Sequence, residues 1–251
     1  MKRKLILGLL VVLSYLGFLI QQCPVARVLP WLPLPPGLTL SGARGTLWQG
    51  ELDQISWQGK VLQKVGWQLP ISSLLLFDPV VQLQFNDKET LRGAAELGWF
   101  GGVRLRDVDL QADAAWLLSQ APVRLPVPVT AAGQLHLQLT ELRMTADRCQ
   151  QLNGTLLWRG AEVQSPMGVL LLDTAKADLG CQQGKLTAKL KQASEQLSLS
   201  GDAELDPNGS YRFQGKLTPE PGLPPAFAQG VNFLGQRDSQ GAIRLDYQGR
   251  F

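Results

Sequence analysis

Residues 196–217, QLSLSGDAELDPNGSYRFQGKL, carry the two signals that decide the fold. On each side of the central DPNG, apolar and polar residues alternate, which is typical of a strand with one buried and one solvent-exposed face. The DPNG segment, residues 206–209, consists of residue types that tight turns favour. The stretch therefore predicts an antiparallel β-hairpin.

The same period of two recurs over most of the chain after residue 38, for example in GQLHLQL at residues 133–139 and AIRLDYQGRF at residues 242–251. Helical patterns are few and short, and they cover residues 70–77, 113–120 and 225–235. We therefore predict a mainly β fold, an antiparallel meander with a few short helices.

The N-terminus has the pattern of a membrane anchor. Lys2, Arg3 and Lys4 precede an apolar run, LILGLLVVLSYLGFLI, at residues 5–20. The run approaches the length that crosses a bilayer, and basic residues favour the cytoplasmic side. No small-residue cleavage site follows it. Residues 1–22 are therefore interpreted as an uncleaved signal-anchor, a single transmembrane helix with a cytoplasmic N-terminus and the bulk of the chain in the periplasm.

Proline content suggests where the chain divides. Five prolines fall within PVARVLPWLPLPPG at residues 24–37, and such segments are extended and semi-rigid. We therefore predict a linker over residues 23–40, followed by a periplasmic β-domain over residues 41–251. A second proline-rich stretch, APVRLPVPV, is the candidate junction between two possible halves, residues 41–125 and 130–251.

A short motif occurs twice. GARGTLWQG at residues 42–50 is similar to LNGTLLWRG at residues 152–160. Its glycines suggest a phosphate-binding loop, but the Lys that such a loop needs is missing. The motif instead predicts a turn followed by a strand, and each copy could begin one half of the β-domain. The Asn-Gly pair at residues 153–154 is interpreted as a second turn.

The motif and the strands after it are rich in tryptophan, and we predict that these side chains pack in the core. An aromatic ligand patch is the alternative. The predicted marker residues are Gly45, Thr46, Trp48, Gly50, Trp57, Trp67, Gly154 and Trp158.

The chain has three cysteines. Cys23 lies at the edge of the predicted anchor, which leaves Cys149 and Cys181 in the exported part. Two such thiols usually pair in an oxidising compartment, so we predict a disulfide between them. Two unrelated buried thiols are the alternative.

Candidate catalytic residues are scarce. The one histidine, His136, lies in a clean alternating strand and has no evident Ser or Cys partner for a catalytic triad. We expect no cofactor, no metal site and no enzymatic activity. Apart from Lys2, Arg3 and Lys4, basic and acidic residues are equal at 21 each, so we expect no nucleic-acid partner.

Four segments in this order carry a family resemblance: SGARGTLWQGELDQISWQG at residues 41–59, VGWQLPISSLL at residues 65–75, the second motif copy, and LGQRDSQGAIRLDYQGRF at residues 234–251. Together they resemble the protein N family of the bacterial type II secretion system. More distantly the chain is similar to AsmA-type proteins, whose repeated strands form a long curved sheet with an apolar inner face.

The resemblance implies a single-pass inner-membrane protein with a structural or assembly role in exporting folded proteins from the periplasm across the outer membrane. Its partners would be other secretion components, either of the inner-membrane platform or linked to the secretin. The family brings no catalytic or metal-binding residues. The AsmA likeness implies a curved sheet and an alternative function, a periplasmic lipid-binding or lipid-transfer module with lipid in an apolar groove.

Overall fold

The computed structural model describes residues 2–31, 35–57, 59–75, 78–87, 90–120, 128–231 and 237–250. The chain divides into two compact units, Met1–Asp87 and Lys88–Phe251. This boundary differs from the predicted division near residues 125–130. The reason is that the strands on either side of that proline-rich stretch pair with each other, so both belong to the second unit.

The first unit begins with helix α1 (Lys2–Gln21), helix α2 (Val25–Val28) and a 3-10 turn (Leu29–Trp31). Its strands form an antiparallel sheet in the order β1-β3-β4-β5, and β2 pairs with β3. These elements are β1 (Leu38–Ser41), β2 (Arg44–Gly45), β3 (Gln49–Trp57), β4 (Lys60–Gln68), helix α3 (Ile71–Leu75) and β5 (Val80–Asn86).

Across the described residues, no helix combines the length and the apolar character that crossing a membrane requires.

The segment predicted as a linker, residues 23–40, has secondary structure on both sides of residues 32–34, which lie outside the described residues. It contains α2 and the 3-10 turn, and β1 already begins at Leu38. Pro24 forms a bridge with Thr46, and the Leu47 N–H donates to the Cys23 carbonyl over 3.1 Å. These backbone contacts tie the start of the segment to the first motif copy.

The second unit is an antiparallel meander in which each strand pairs with the next along the chain. It confirms the predicted mainly β, antiparallel fold. The elements are β6 (Leu91–Gly98), β7 (Val103–Asp113), α4 (Ala114–Gln120), β8 (Thr130–Met144), β9 (Cys149–Ser165), β10 (Gly168–Gln182), β11 (Lys185–Ala193), β12 (Leu197–Leu205), β13 (Ser210–Pro219), α5 (Pro225–Val231) and β14 (Ile243–Arg250).

The structure confirms several predictions that rest on local sequence signals. The DPNG hairpin is confirmed, because the Gly209 N–H donates to the Asp206 carbonyl over 2.9 Å between β12 and β13. Asp113 caps α4, since its carboxylate accepts a hydrogen bond of 3.0 Å from the Trp116 N–H. Helices α3 and α5 also lie where predicted, although residues 76–77 of the first helical pattern and 232–235 of the third lie outside the described residues.

One face of the second unit is apolar, and α5 covers one end of it. A buried cluster forms there from the ends of β12, β13 and β14 and from the segment containing α5; its members are Leu197, Leu217, Leu223, Val231, Ile243 and Leu245. Ile243 is fully buried. The same face continues along the strands beyond this cluster.

Candidate functional site: an apolar groove and a tryptophan clamp

The first motif copy forms a tight turn between β2 and β3. The Thr46 N–H donates to the Gln49 carbonyl over 2.8 Å, and the Thr46 hydroxyl accepts bonds of 3.3 Å from the Trp48 and Gln49 N–H groups. Gly45 has a φ of 100°, and a Cβ there would lie 2.5 Å from the Gln49 carbonyl oxygen. The turn therefore requires glycine at this position.

Trp48 acts as a clamp on helix α1. Its indole N–H donates to the Ile20 carbonyl over 2.9 Å, across 28 positions of sequence. That carbonyl belongs to the last turn of α1, where backbone acceptors lack partners within the helix. The motif therefore caps the end of α1 and holds it against the start of the sheet in the first unit.

The other tryptophans of the first unit differ in burial. Trp67 is half-buried; its indole N–H donates to the Leu47 carbonyl over 3.3 Å, and its ring lies where a Gly50 side chain would otherwise be. Trp57 is instead 49% exposed, in contrast to the predicted core position. It is the last residue of β3, beside the turn to β4, where no described element covers it.

The second motif copy is not a turn. Asn153 and Gly154 lie inside the 17-residue strand β9, so the predicted turn there is wrong. A Cβ on Gly154 would lie 2.2 Å from Leu139 Cδ2 and 2.7 Å from the Gln138 carbonyl oxygen. Glycine is needed here because a neighbouring strand approaches closely, and not for a reversal of the chain. The two copies therefore have different structures.

Trp158, in the same strand, is half-buried, and its indole N–H donates to the Ala132 carbonyl of β8 over 2.9 Å. The tryptophans of both copies thus have the same role: each indole N–H donates a hydrogen bond to a backbone carbonyl distant in sequence. Sequence patterns do not reveal these carbonyls, because the pairing depends on how the chain folds and on strand register.

The predicted disulfide is confirmed: Cys149 and Cys181 are bonded, with a Cα–Cα distance of 5.7 Å and a sequence separation of 32. It joins the start of β9 to the end of β10, and Cys149 is buried. Cys23 is a free thiol. The bond stabilises the end of the β9–β10 hairpin that lies farthest from its turn.

The apolar face has a groove of about 440 Å³ next to this disulfide-bonded end. It arises from a row of directly opposed residues across β8–β13, which are Leu139, Gly154, Leu179, Ala188, Ala203 and Phe213. The small side chains of Ala188 and Ala203 form a floor between the larger Leu179 and Phe213. The size mismatch along this row creates the groove.

Leucines form the walls of the groove, among them Leu137, Leu142, Leu152, Leu186 and Leu205. Most of these side chains are only half-buried, whereas the cluster under α5 is buried. No described element of the second unit lies over this part of the face. The groove is therefore an apolar surface of ligand size that its own unit leaves open.

A charged network lies behind the groove, on the polar face. Glu204 and Arg212 alternate with the groove residues Ala203 and Phe213, so their side chains point to the other side of the sheet. The Lys185 ammonium lies 3.3 Å from both the Asp206 and the Glu204 carboxylates. The hydrogen bond to Asp206, followed by that to Glu204, raises the pKa of Lys185 above its usual value. The groove itself is lined by apolar side chains and therefore suits an apolar ligand.

The polar face carries a pair formed by a histidine and a carboxylate. His136 Nε2 lies 2.9 Å from Asp109 Oδ1, and Gln138 donates to the other carboxylate oxygen over 3.2 Å. The bond from His136, followed by that from Gln138, holds the pKa of Asp109 below its usual range. Within the described part of the chain, no three His, Cys, Asp or Glu side chains are grouped to hold a metal ion.

The clamp leads to a prediction for Trp48→Phe. The variant keeps the ring but removes the indole donor, so the Ile20 carbonyl keeps only its 3.3 Å bond from the Cys23 N–H, at a cost of about 1 kcal/mol. We expect native-state tryptic cleavage at Arg27 to become about five-fold faster, because such cleavage follows the population of the open form. Trp57→Phe is the control, since that side chain is half exposed. Equal cleavage rates in the two variants would contradict the clamp.

Comparison with known proteins gives one consistent result. The family described as Type II secretion system (T2SS), protein N matches residues 36–246. Relatives named Type II secretion system protein N include one from Aeromonas hydrophila, 42% identical over 251 residues with all of both chains covered. Another, from Pectobacterium carotovorum subsp. carotovorum, is 36% identical over 250 residues, covering 100% of this chain and 98% of the relative.

A third relative of that name, from Vibrio cholerae, is 35% identical over 253 residues, again with all of both chains covered. No solved structure matches this chain significantly. The family match covers most of the chain, and the relatives align with it from end to end. The chain therefore belongs to the type II secretion system protein N family.

Proposed function

We propose that this chain is an inner-membrane component of the type II secretion system with a structural or assembly role and no catalytic activity. The observation that carries the proposal is the end-to-end similarity to relatives named as protein N of that system. Its partners would be other secretion components, of the inner-membrane platform or linked to the secretin. A mainly β fold built of antiparallel strands is consistent with such a role.

The proposed topology places α1 in the inner membrane, the N-terminus in the cytoplasm and both sheet units in the periplasm. Three observations support it. Basic residues precede the apolar run of α1. Apolar side chains of α1 such as Leu10, Val12 and Phe18 are more than half exposed. The Cys149–Cys181 disulfide suits an oxidising compartment.

The secretion role is tested by deleting the gene in its host. We expect folded enzymes normally exported by the system to accumulate in the periplasm, while envelope integrity and lipid composition stay normal. Expression of the full chain should restore export. Normal export in the deletion strain would overturn the proposal, and a change in lipid composition alone would favour the second candidate below.

A second candidate function is binding of a lipid acyl chain, and the open groove of about 440 Å³ favours it. Leucine side chains form its walls, and the lining is apolar. An acyl chain would occupy the apolar floor. In this function the protein would carry or sense lipid in the periplasm.

Groove filling by Ala188→Leu tests this candidate. The added side chain occupies the groove floor between Leu179 and Ala203, so we expect several-fold less lipid to co-purify with the detergent-solubilised full chain, as measured by mass spectrometry. Ala193→Leu, on an exposed position of the same strand, is the matched control. Absence of bound lipid in the unaltered chain, or equal lipid in both variants, would exclude the acyl-chain function.

A further inference from the structure

The last strand, β14, has an outer edge that the described residues cover at its start alone. On its inner side β14 pairs with β13 along its whole length. On its outer side Arg237 forms a bridge with Ile243, and the Asp238 N–H donates to the Ala242 carbonyl over 2.8 Å. No other strand among the described residues borders β14 on this side.

The bond to Ala242 defines which backbone groups face outward. Because backbone directions alternate along an antiparallel strand, every second residue after Ala242 also points its N–H and C=O away from β13. Beyond the covered start, these residues are Asp246, Gln248 and Arg250. They form a short row of donors and acceptors that can accept one more strand.

The charges on this edge determine what kind of strand fits. Arg244, Asp246 and Arg250 share the polar face, opposite Tyr247. Like charges directly opposite each other destabilise a strand pair, and unlike charges stabilise it. Pairing of another strand with this edge is therefore unfavourable in most registers. It is favourable where Asp246 lies opposite a basic residue and Arg250 opposite an acidic one.

A second copy of β14 meets this requirement in one accessible register. When two antiparallel copies meet with Gln248 opposite Gln248, Asp246 of each lies opposite Arg250 of the other. A shift that centres the pair on Tyr247 places Arg244 opposite Arg250, and one that centres it on Asp246 places two carboxylates together. A shift toward Leu245 brings the partner against the covered start of the strand.

We propose that the outer edge of β14 pairs with β14 of a second copy of this chain, antiparallel and centred on Gln248. The pairing would join the apolar faces of two copies and goes beyond the proposed secretion role.

Existing side-chain contacts favour the same register. Gln214 Nε2 donates to Asp246 Oδ2 over 3.1 Å, and Arg250 Nε donates to the Asn208 carbonyl over 3.2 Å. Both charged groups are therefore held on the polar face before a partner arrives, which reduces the entropy cost of pairing. On the other face the register places Tyr247, 47% exposed, opposite Gly249 of the second copy, over which the Tyr211 ring of that copy lies.

Cysteine crosslinking tests the register. In a Cys23→Ser background, Gln248→Cys places the new thiols opposite each other across the two-fold axis, with Cα atoms about 5.5 Å apart, within disulfide range. We expect the full chain to form covalent dimers under mild oxidation in detergent or in membranes. Arg244→Cys is the matched control, because it lies on the same face while its two copies would be about 27 Å apart. Its dimer yield should be at least ten-fold lower.

Charge-reversal variants distinguish this pairing from a nonspecific attraction between two copies of the chain. In the Gln248→Cys chain, Asp246→Arg or Arg250→Asp alone creates two repulsive pairs and should reduce the dimer yield several-fold. Both changes together restore opposite charges and should restore the dimer, which also shows that the variants fold. Equal crosslinking at residues 244 and 248, an unchanged yield in the single charge variants, or crosslinks only to a different protein would overturn the proposal.

Discussion

Replacing both Cys149 and Cys181 by Ala is expected to lower the free energy of unfolding of the second unit by about 3 to 4 kcal/mol. The disulfide closes a chain segment with a sequence separation of 32, and on the chain-entropy estimate a loop of that length restricts the unfolded state by this amount. The bond joins the start of β9 to the end of β10. Chemical denaturation of the detergent-solubilised full chain, followed by circular dichroism, measures the change.

Two controls separate the crosslink from the loss of buried sulfur atoms. Each single Cys→Ala variant should lose about as much stability as the double variant, since either one breaks the bond. The unaltered chain in the presence of a reductant should show the same loss, while the double variant should not respond to the reductant. A double variant as stable as the oxidised chain would show that the disulfide is dispensable.

The sequence predicted well what depends on neighbouring residues. Period-two alternation is a local property, so most strands of the second unit were recognisable from it. The cap at Asp113 and the turn at residues 206–209 also depend on residues within four positions of each other. The disulfide could be predicted for a different reason: Cys149 and Cys181 were the only two cysteines in the predicted exported part.

Features that depend on strand register were missed. The indole bond from Trp48 to Ile20 joins residues 28 positions apart, and no periodicity indicates it. The groove depends on which residues of six strands lie opposite one another. Ala188 and Ala203, each taken alone in the sequence, therefore do not indicate it. Asn153-Gly154 shows the converse error, because a dipeptide typical of turns occupies the middle of a strand.

Amino-acid composition also did not predict the boundary between the two units. Proline-rich stretches were interpreted as junctions, yet α4 and β8 flank residues 121–127 within one unit. The segment before β1 is likewise partly helical and tied by Pro24 to Thr46. Proline restricts backbone geometry, but contacts made elsewhere in the chain decide whether the segment is a linker.

Gly154→Ala is expected to destabilise the second unit by about 3 kcal/mol, the upper part of the range for overpacking a close-packed site. The new Cβ would lie 2.2 Å from Leu139 Cδ2, which could rotate away, but also 2.7 Å from the Gln138 carbonyl oxygen, which belongs to the backbone. Strands β8 and β9 would have to separate locally. Chemical denaturation of the full chain measures the loss.

Gly180→Ala is the matched control, because Gly180 lies in β10 opposite Asn153, next to the test position. Its new Cβ would lie 3.3 Å from the Thr187 hydroxyl, a group that can rotate, and its next contact is at 3.9 Å. The same change of residue should therefore alter stability by less than about 1 kcal/mol. A similar loss in both variants would mean that strand glycines matter here only through their flexibility. A large loss at Gly154 alone would show that its role in the repeated motif is to let β8 and β9 approach beside the groove.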